Sequence, residues 1–212
     1  MRHGERGFSL IELIITLAIF GVLLALGASS FRAWIVNMKI RSTAESVQSG
    51  LQLARGEAVR RNTAVMFQLT TTTENGCALA LVAPDLADAN WVVSLADAAG
   101  LGLCGGAYLN EAYPIADSTH NPAPQIIQRR SAAEGSGSVK LSAGQTSFTF
   151  NGLGRLTGVP LPNIDVKPST GSCTGVRCLR VTVTLGGQIR MCDPAFTPDA
   201  SGGTDSQRCP TS

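Results

Sequence analysis

The chain has 212 residues, enough for one modest domain beside a membrane-length segment, and carries 17 Lys and Arg against 15 Asp and Glu. Its formal net charge of +2 excludes a generic polycation that coats nucleic acid or lipid, though not a local basic patch.

The first seven residues form a leader with Arg2, His3 and Arg6 that ends at Gly7. Without it the chain keeps 15 basic and 14 acidic residues. From Phe8 to Ser30 the only charged residue is Glu12. As a helix rising ~1.5 Å per residue, Phe8 to Ala28 spans ~31 Å, about one hydrocarbon core. A carboxylate in such a segment costs at least ~2.5 kcal/mol and calls for a partner. A cut after Gly7 gives Phe8 a cationic amine, and Glu12 of a neighbouring subunit can pair with it. A secretory signal peptide fits less well, because the apolar run starts early, lasts long and is followed only by weak small-residue cleavage sites.

Gly7-Phe8-Ser9-Leu10-Ile11-Glu12 resembles the prepilin motif of type IV pilins and pseudopilins. In that family prepilin peptidase cuts after the glycine and methylates the new N-terminus, and the glutamate guides docking into a helical filament. The resemblance implies processing at Gly7 and Phe8 and an assembly role for Glu12. It also implies a single pass through the bacterial inner membrane at 8–30 and a periplasmic domain over 31–212.

The helix is expected to run on to residue 62. No proline occurs from Phe31 to Arg61, and Ile40, Ala44, Val47, Leu51, Ala54 and Ala58 make one stripe of helical period, the face for a sheet. Gly50 and Gly56 each weaken the helix by roughly 1 kcal/mol relative to alanine, so packing must hold this half. Arg60 and Arg61 suit the negative end of the helix dipole, and Asn62 suits its terminator.

Residues 63–192 are expected to be β-rich. Val65, Phe67 and Leu69 alternate, and Thr70 to Gly76 reads as a turn joining them to a second strand from Cys77 to Ala83. Further strands are expected at Trp91–Leu95, at Ile126 and Ile127, at Ser138–Leu141 and at Ser147–Phe150, with a turn at Asn151-Gly152. Residues 96–124 read as a long surface excursion held through Cys104. Leu179, Val181, Val183 and Leu185 alternate with Arg180, Thr182 and Thr184, and Gly186-Gly187 then points to a tight hairpin with positive φ at both glycines. From Asp193 to Ser212 the chain is a polar tail that needs Cys209 to hold it.

The cysteines are Cys77, Cys104, Cys173, Cys178, Cys192 and Cys209. An even set in an exported domain favours disulfides. Nearness favours Cys173–Cys178 and Cys192–Cys209, leaving Cys77–Cys104. Zinc is the competing reading, but no C-x-x-C spacing occurs, and His120 is the only histidine after the leader. No cofactor or metal is expected. Catalysis has little support either: His120 sits in a Ser-Thr-His-Asn-Pro loop, no phosphate-binding glycine loop occurs, and Asp193, Asp199 and Asp205 lack calcium-loop spacing.

Arg177, Arg180 and Arg190 surround the last hairpin, and a Cys192–Cys209 bond brings Arg208 near; Arg129, Arg130 and Lys140 extend the set. Such guanidinium forks suit phosphate oxygens. The solvent face of any strand also shows this alternation, and the three tail aspartates oppose it, so DNA contact here is expected to be weak and salt-dependent.

Within the superfamily the chain resembles the FimT/FimU/GspH group of minor pilins and pseudopilins. The resemblance is carried by Leu53 to Thr63, Asn90-Trp91-Val-Val-Ser94, Phe150-Asn-Gly-Leu-Gly-Arg155, Gly187 to Pro194, and Cys209-Pro210. It implies an α+β fold: a long N-terminal helix, transmembrane in its first half and amphipathic in its second, packed on an antiparallel β-sheet domain. It implies a minor subunit near the tip of a type IV pilus-like filament, with other pilins as partners. The alternatives are a GspH-type pseudopilin of a type II secretion system and a FimT-like DNA receptor of a competence pilus. Two positions depart from the group. Ser29 stands where many pilins kink at a proline, and Gln188 replaces the first arginine of the Gly-Arg-x-Arg element of DNA-binding members.

Overall fold

The computed structural model describes residues 9–72, 87–96, 106–123, 125–134, 137–158, 163–196 and 207–209, without the side chains of residues 25–30. Gly7, Phe8, Cys77, Cys104 and the expected strand from Cys77 to Ala83 lie outside them. The chain divides into two units, Met1–Ile35 and Val36–Ser212.

One helix, α1, runs over Leu10–Arg61. Ser9 sits at its N-terminal boundary, where its carbonyl accepts from Glu12 N–H at 3.1 Å and Leu13 N–H at 3.2 Å. At the other end Asn62 takes φ 49°, its N–H donates to Val59 O at 3.3 Å, and Thr63 N–H donates to Ala58 O at 3.2 Å. That paired closure around a left-handed asparagine satisfies the last carbonyls and ends the helix where the sequence places its terminator.

From Leu10 to Leu24, in the first unit, α1 exposes its large apolar side chains, from Ile15 at 52% to Leu10 at 76%. Among the described residues no helix is long and apolar enough to cross a membrane.

In the second unit, two five-stranded antiparallel sheets share the core with α1. The first has the order β4-β3-β1-β6-β7, with β1 Val65–Thr70, β3 Asn90–Leu95, β4 Ile126–Arg130, β6 Ser147–Phe150 and β7 Leu156–Thr157. The second has the order β10-β9-β8-β5-β2, with β2 Ala87–Asp88, β5 Val139–Ala143, β8 Asn163–Pro168, β9 Leu179–Val183 and β10 Ile189–Cys192. All six residues of the expected stripe, Ile40, Ala44, Val47, Leu51, Ala54 and Ala58, are 0% exposed. They join one buried cluster with Phe67, Trp91 and Phe148 of the first sheet and Ile164, Val166, Val181 and Val183 of the second. Trp91 Nε1–H donates to Ser46 Oγ at 3.0 Å, which satisfies its polar atom inside that core.

Three expectations change. Both edges of β1 are taken, by β3 and by β6, so the hairpin expected with residues 77–83 has no free edge there. Strand β8 was not expected, although Ile164, Val166 and Pro168 alternate as buried residues with Asn163, Asp165 and Lys167. The β9–β10 hairpin is not a two-residue turn. Thr184 N–H donates to Gln188 O at 2.9 Å and Gly187 N–H to Thr184 O at 2.8 Å, and of its two glycines only Gly187 has positive φ, 79°. The loop therefore holds three residues, 185–187, with the left-handed position last.

Candidate functional site

The expected assembly residue Glu12 lies in the first turn of α1, as the third helical residue. Ser9 and Glu12 thus have the spacing of a capping box, and a carboxylate there sits well against the positive end of the helix dipole. Glu12 is exposed among exposed apolar neighbours. Farther along the same unit, Phe31 and Trp34 stack with ring centroids 5.8 Å apart, 59% and 57% exposed.

At the C-terminal hairpin, β9 carries Arg180 and β10 carries Arg190, with Arg177 and Arg208 beside them, but their charges are partly spent. Arg180 forms a two-pronged pair with Asp165 of β8 at 2.5 and 3.1 Å, because β8 and β9 register Asp165 opposite Arg180. That carboxylate holds the Arg180 pKa above its usual value, against the opposing pull of burial. Arg177 donates from Nε to Asp193 and from a terminal nitrogen to Gln207, and its guanidinium lies 5.4 Å from the Phe196 ring centre. Asp193 is 3% exposed, so Arg177 neutralises a buried carboxylate. Arg190 is exposed, and neither Arg190 nor Arg208 has an ion pair among the described residues. Of the extending cations, Lys140 pairs with Asp88, and Arg129 donates to Tyr108 Oη at 3.2 Å. Arg130 borders the small cleft beside Ser42 and Ala132.

Cys173–Cys178 and Cys192–Cys209 are disulfides with Cα separations of 5.6 and 4.9 Å. Their sulfurs are bonded to each other, which answers the zinc alternative for these four. The second bond carries residue 209 to the end of β10, where Asp193 and Arg208 form a parallel bridge. Between the first disulfide, Asn37 of α1 and Asp193 lies an open cavity of about 600 Å³. Arg177 N–H donates to Asn37 Oδ1 at 2.7 Å across its edge.

Residues 106–123, ahead of β4, are more ordered than their composition suggests. Asn121 is 2% exposed; its Oδ1 accepts from Asn110 N–H at 2.7 Å, and its amide donates to the carbonyls of Asn110, Tyr113 and Pro114. Expected in a plain loop, His120 stacks on Tyr113 at 3.6 Å with Nδ1 2.8 Å from Asp117 Oδ2. Glu111 joins both Arg60 and Arg61, at 2.7 and 2.5 Å, and Glu57 bonds the same pair from within α1. Burial pushes the Glu57 carboxyl up, but hydrogen bonds from Arg60 and Arg61 outweigh it and leave it below its usual value. The two arginines therefore do more than face the helix dipole. They pin the excursion, a contact no sequence spacing announced.

The family model for type II transport protein GspH matches residues 43–187, and that for the prokaryotic N-terminal methylation motif matches residues 2–28. No curated protein matches the chain. Among solved structures, the type IV minor pilin FimU of Pseudomonas aeruginosa (strain PAO1) is 15% identical in one crystal form, covering 74% of this chain and 91% of that one with a TM-score of 0.47. The minor pseudopilin EpsH from the type 2 secretion system of Vibrio cholerae is 12% identical, covering 74% of this chain and 99% of that one with a TM-score of 0.45.

Proposed function

The chain belongs to the family of type II transport protein GspH, and from that premise we propose that it is a minor pilin or pseudopilin, cut after Gly7 and built in near the tip of a type IV pilus-like filament. The observation that carries this is the first part of α1. Its aliphatic side chains are exposed all round, every large one from Leu10 to Leu24 by more than half, and Glu12 is the single charge among them. A helix apolar on every side needs lipid or other helices around it. Before assembly, residues 8–30 lie in the bacterial inner membrane with the stacked Phe31 and Trp34 at the water boundary, where aromatic rings are favoured. The domain then faces the periplasm, an oxidising space that suits its disulfides.

In the filament, neighbouring helices replace lipid, and Glu12 pairs with the Phe8 amine of the next subunit. Prepilin peptidase and the other pilins are the partners. The chain acts as a structural subunit, not an enzyme. Mass spectrometry of the native N-terminus tests the first step: a methylated Phe8 is expected, and an uncut leader refutes processing. Glu12→Ala is expected to remain cleaved and membrane-bound yet be depleted from sheared filaments; undiminished incorporation refutes the pairing.

The second reading, a pseudopilin of a type II secretion system, is favoured by the family's own description. Loss of exported enzymes on deletion, with surface pili intact, supports it over the pilus. A DNA receptor is less favoured, since Arg177 and Arg180 are already held by Asp193 and Asp165.

A further inference from the structure

We propose that the surface around the C-terminal end of α1 docks a protein segment bearing carboxylates beside aliphatic side chains. The contact is separate from the Glu12 pairing and goes beyond the assembly reading. Three backbone pieces meet here: the last turns of α1, the turn 151–155 and the hairpin loop 185–187. A Cβ on Gly187 would lie 2.0 Å from Gly154 O, and one on Gly154 would lie 2.9 Å from Val59 Cγ2. Glycine at both positions lets the two turns touch each other and the helix. The Arg55 side chain crosses the seam, with Nε 3.3 Å from the Cβ position of Gly154 and 3.1 Å from that of Gly187.

The frame is stiff. Asn151 Oδ1 accepts from the N–H groups of Leu153 and Arg155 at 3.0 and 3.1 Å, and Leu156 N–H donates to Leu185 O at 3.1 Å. On it, Leu153 is 77% exposed, Val59 52% and Leu185 47%. A leucine at the tip of a tight turn is unusual, because turns favour Gly, Asn, Asp, Ser and Pro. Arg55 and Arg155 flank these aliphatics, both exposed, and neither side chain has an ion pair or hydrogen bond among the described residues. Arg41, Arg60, Arg61, Arg177 and Arg180 by contrast are all paired.

Two unspent guanidinium groups around three exposed aliphatics are complementary to Asp or Glu next to Leu or Val. Such a patch matches the composition of protein interfaces, where arginine is enriched around an apolar centre. A nucleic-acid phosphate chain would use the arginines and leave the aliphatics idle. Because the turns are already fixed, little ordering entropy is lost on docking.

The test places a photo-crosslinking amino acid at Leu153 of the full chain, in the bacterium that makes it. An adduct with a second protein is expected, with Asp or Glu in the joined peptide. Arg55→Glu with Arg155→Glu is expected to cut the adduct at least tenfold, while Arg55→Lys with Arg155→Lys keeps most of it. Arg155→Glu alone, on an exposed turn, is expected to cut it at least threefold and serves if the double variant fails to accumulate. No adduct, an adduct with nucleic acid, a joined peptide without acidic residues, or yields unmoved by charge reversal overturns the proposal. So does a Leu153-to-Leu153 adduct between two copies, since that would press like charges together.

Discussion

Gly50 and Gly56 lie in the same helix, and helix propensity alone predicts that alanine at either adds about 1 kcal/mol. Their surroundings differ. At Gly56, which is exposed, a new Cβ meets nothing within 4 Å, so the full gain is expected. At Gly50, which is buried, the Cβ would stand 2.7 Å from Phe67 Cε2 and 3.2 Å from two atoms of Trp91. Phe67 is 0% exposed and held between Trp91 and Phe148, with ring centroids 5.6 and 5.9 Å away. It has no room to swing aside, and forcing a methyl group into such a core costs about 1–3 kcal/mol. Gly56→Ala should therefore be more stable by about 1 kcal/mol, and Gly50→Ala less stable by up to about 2 kcal/mol. For a domain of this size each kcal/mol moves the melting temperature by about 2–4 °C. Thermal unfolding of the domain from Phe31 onward, disulfides intact and followed by circular dichroism, separates the two. If both variants gain equally, Gly50 does not receive the two rings and the packing of β1 and β3 on α1 is wrong.

Cys209→Ser removes a crosslink spanning 17 residues and is expected to cost about 2–4 kcal/mol, with early tryptic release of the tail; unchanged melting refutes the tether. Glu57, Glu111 and Asp117 all titrate below their usual values. For Glu57 burial opposes the arginine hydrogen bonds; for Glu111 the bonds to Arg60 and Arg61 lead; for Asp117 the bond to His120 leads. A depressed carboxyl contributes stability above its unfolded pKa, and that stability is lost as pH falls through the folded one. The urea midpoint should thus hold from pH 7 to about 5 and drop below about pH 4, and Glu111→Gln should flatten the drop; a midpoint independent of pH refutes it. In gel shifts at low salt, the soluble domain is expected to retard DNA little, and Gln188→Arg to increase retardation by adding a fork beside Arg190. Strong retardation unaffected by Arg190→Ala would show that the phosphate contact lies elsewhere.

The sequence by itself determined the elements whose physics is local. A lone carboxylate at Glu12 in an apolar run, a stripe of helical period from Ile40 to Ala58, and an asparagine after two arginines each state their structure within a few turns of chain. All six stripe residues are fully buried, and Asn62 closes the helix. Short sequence separation likewise pointed to Cys173–Cys178 and Cys192–Cys209, because close chain neighbours meet at little entropic cost.

What depends on distant partners was decided only by the tertiary structure. Which strands flank β1 is set by pairing with residues 30 and 85 positions away, as the register of Val65 with Leu95 and Phe150 shows. Four hairpin arginines look alike in sequence, yet Arg180 is spent on Asp165 because β8 lies beside β9, and Arg177 on the buried Asp193. Gly50 and Gly56 also look alike; the aromatic rings packed over one of them leave no room for a side chain, and open solvent beside the other leaves it free to change.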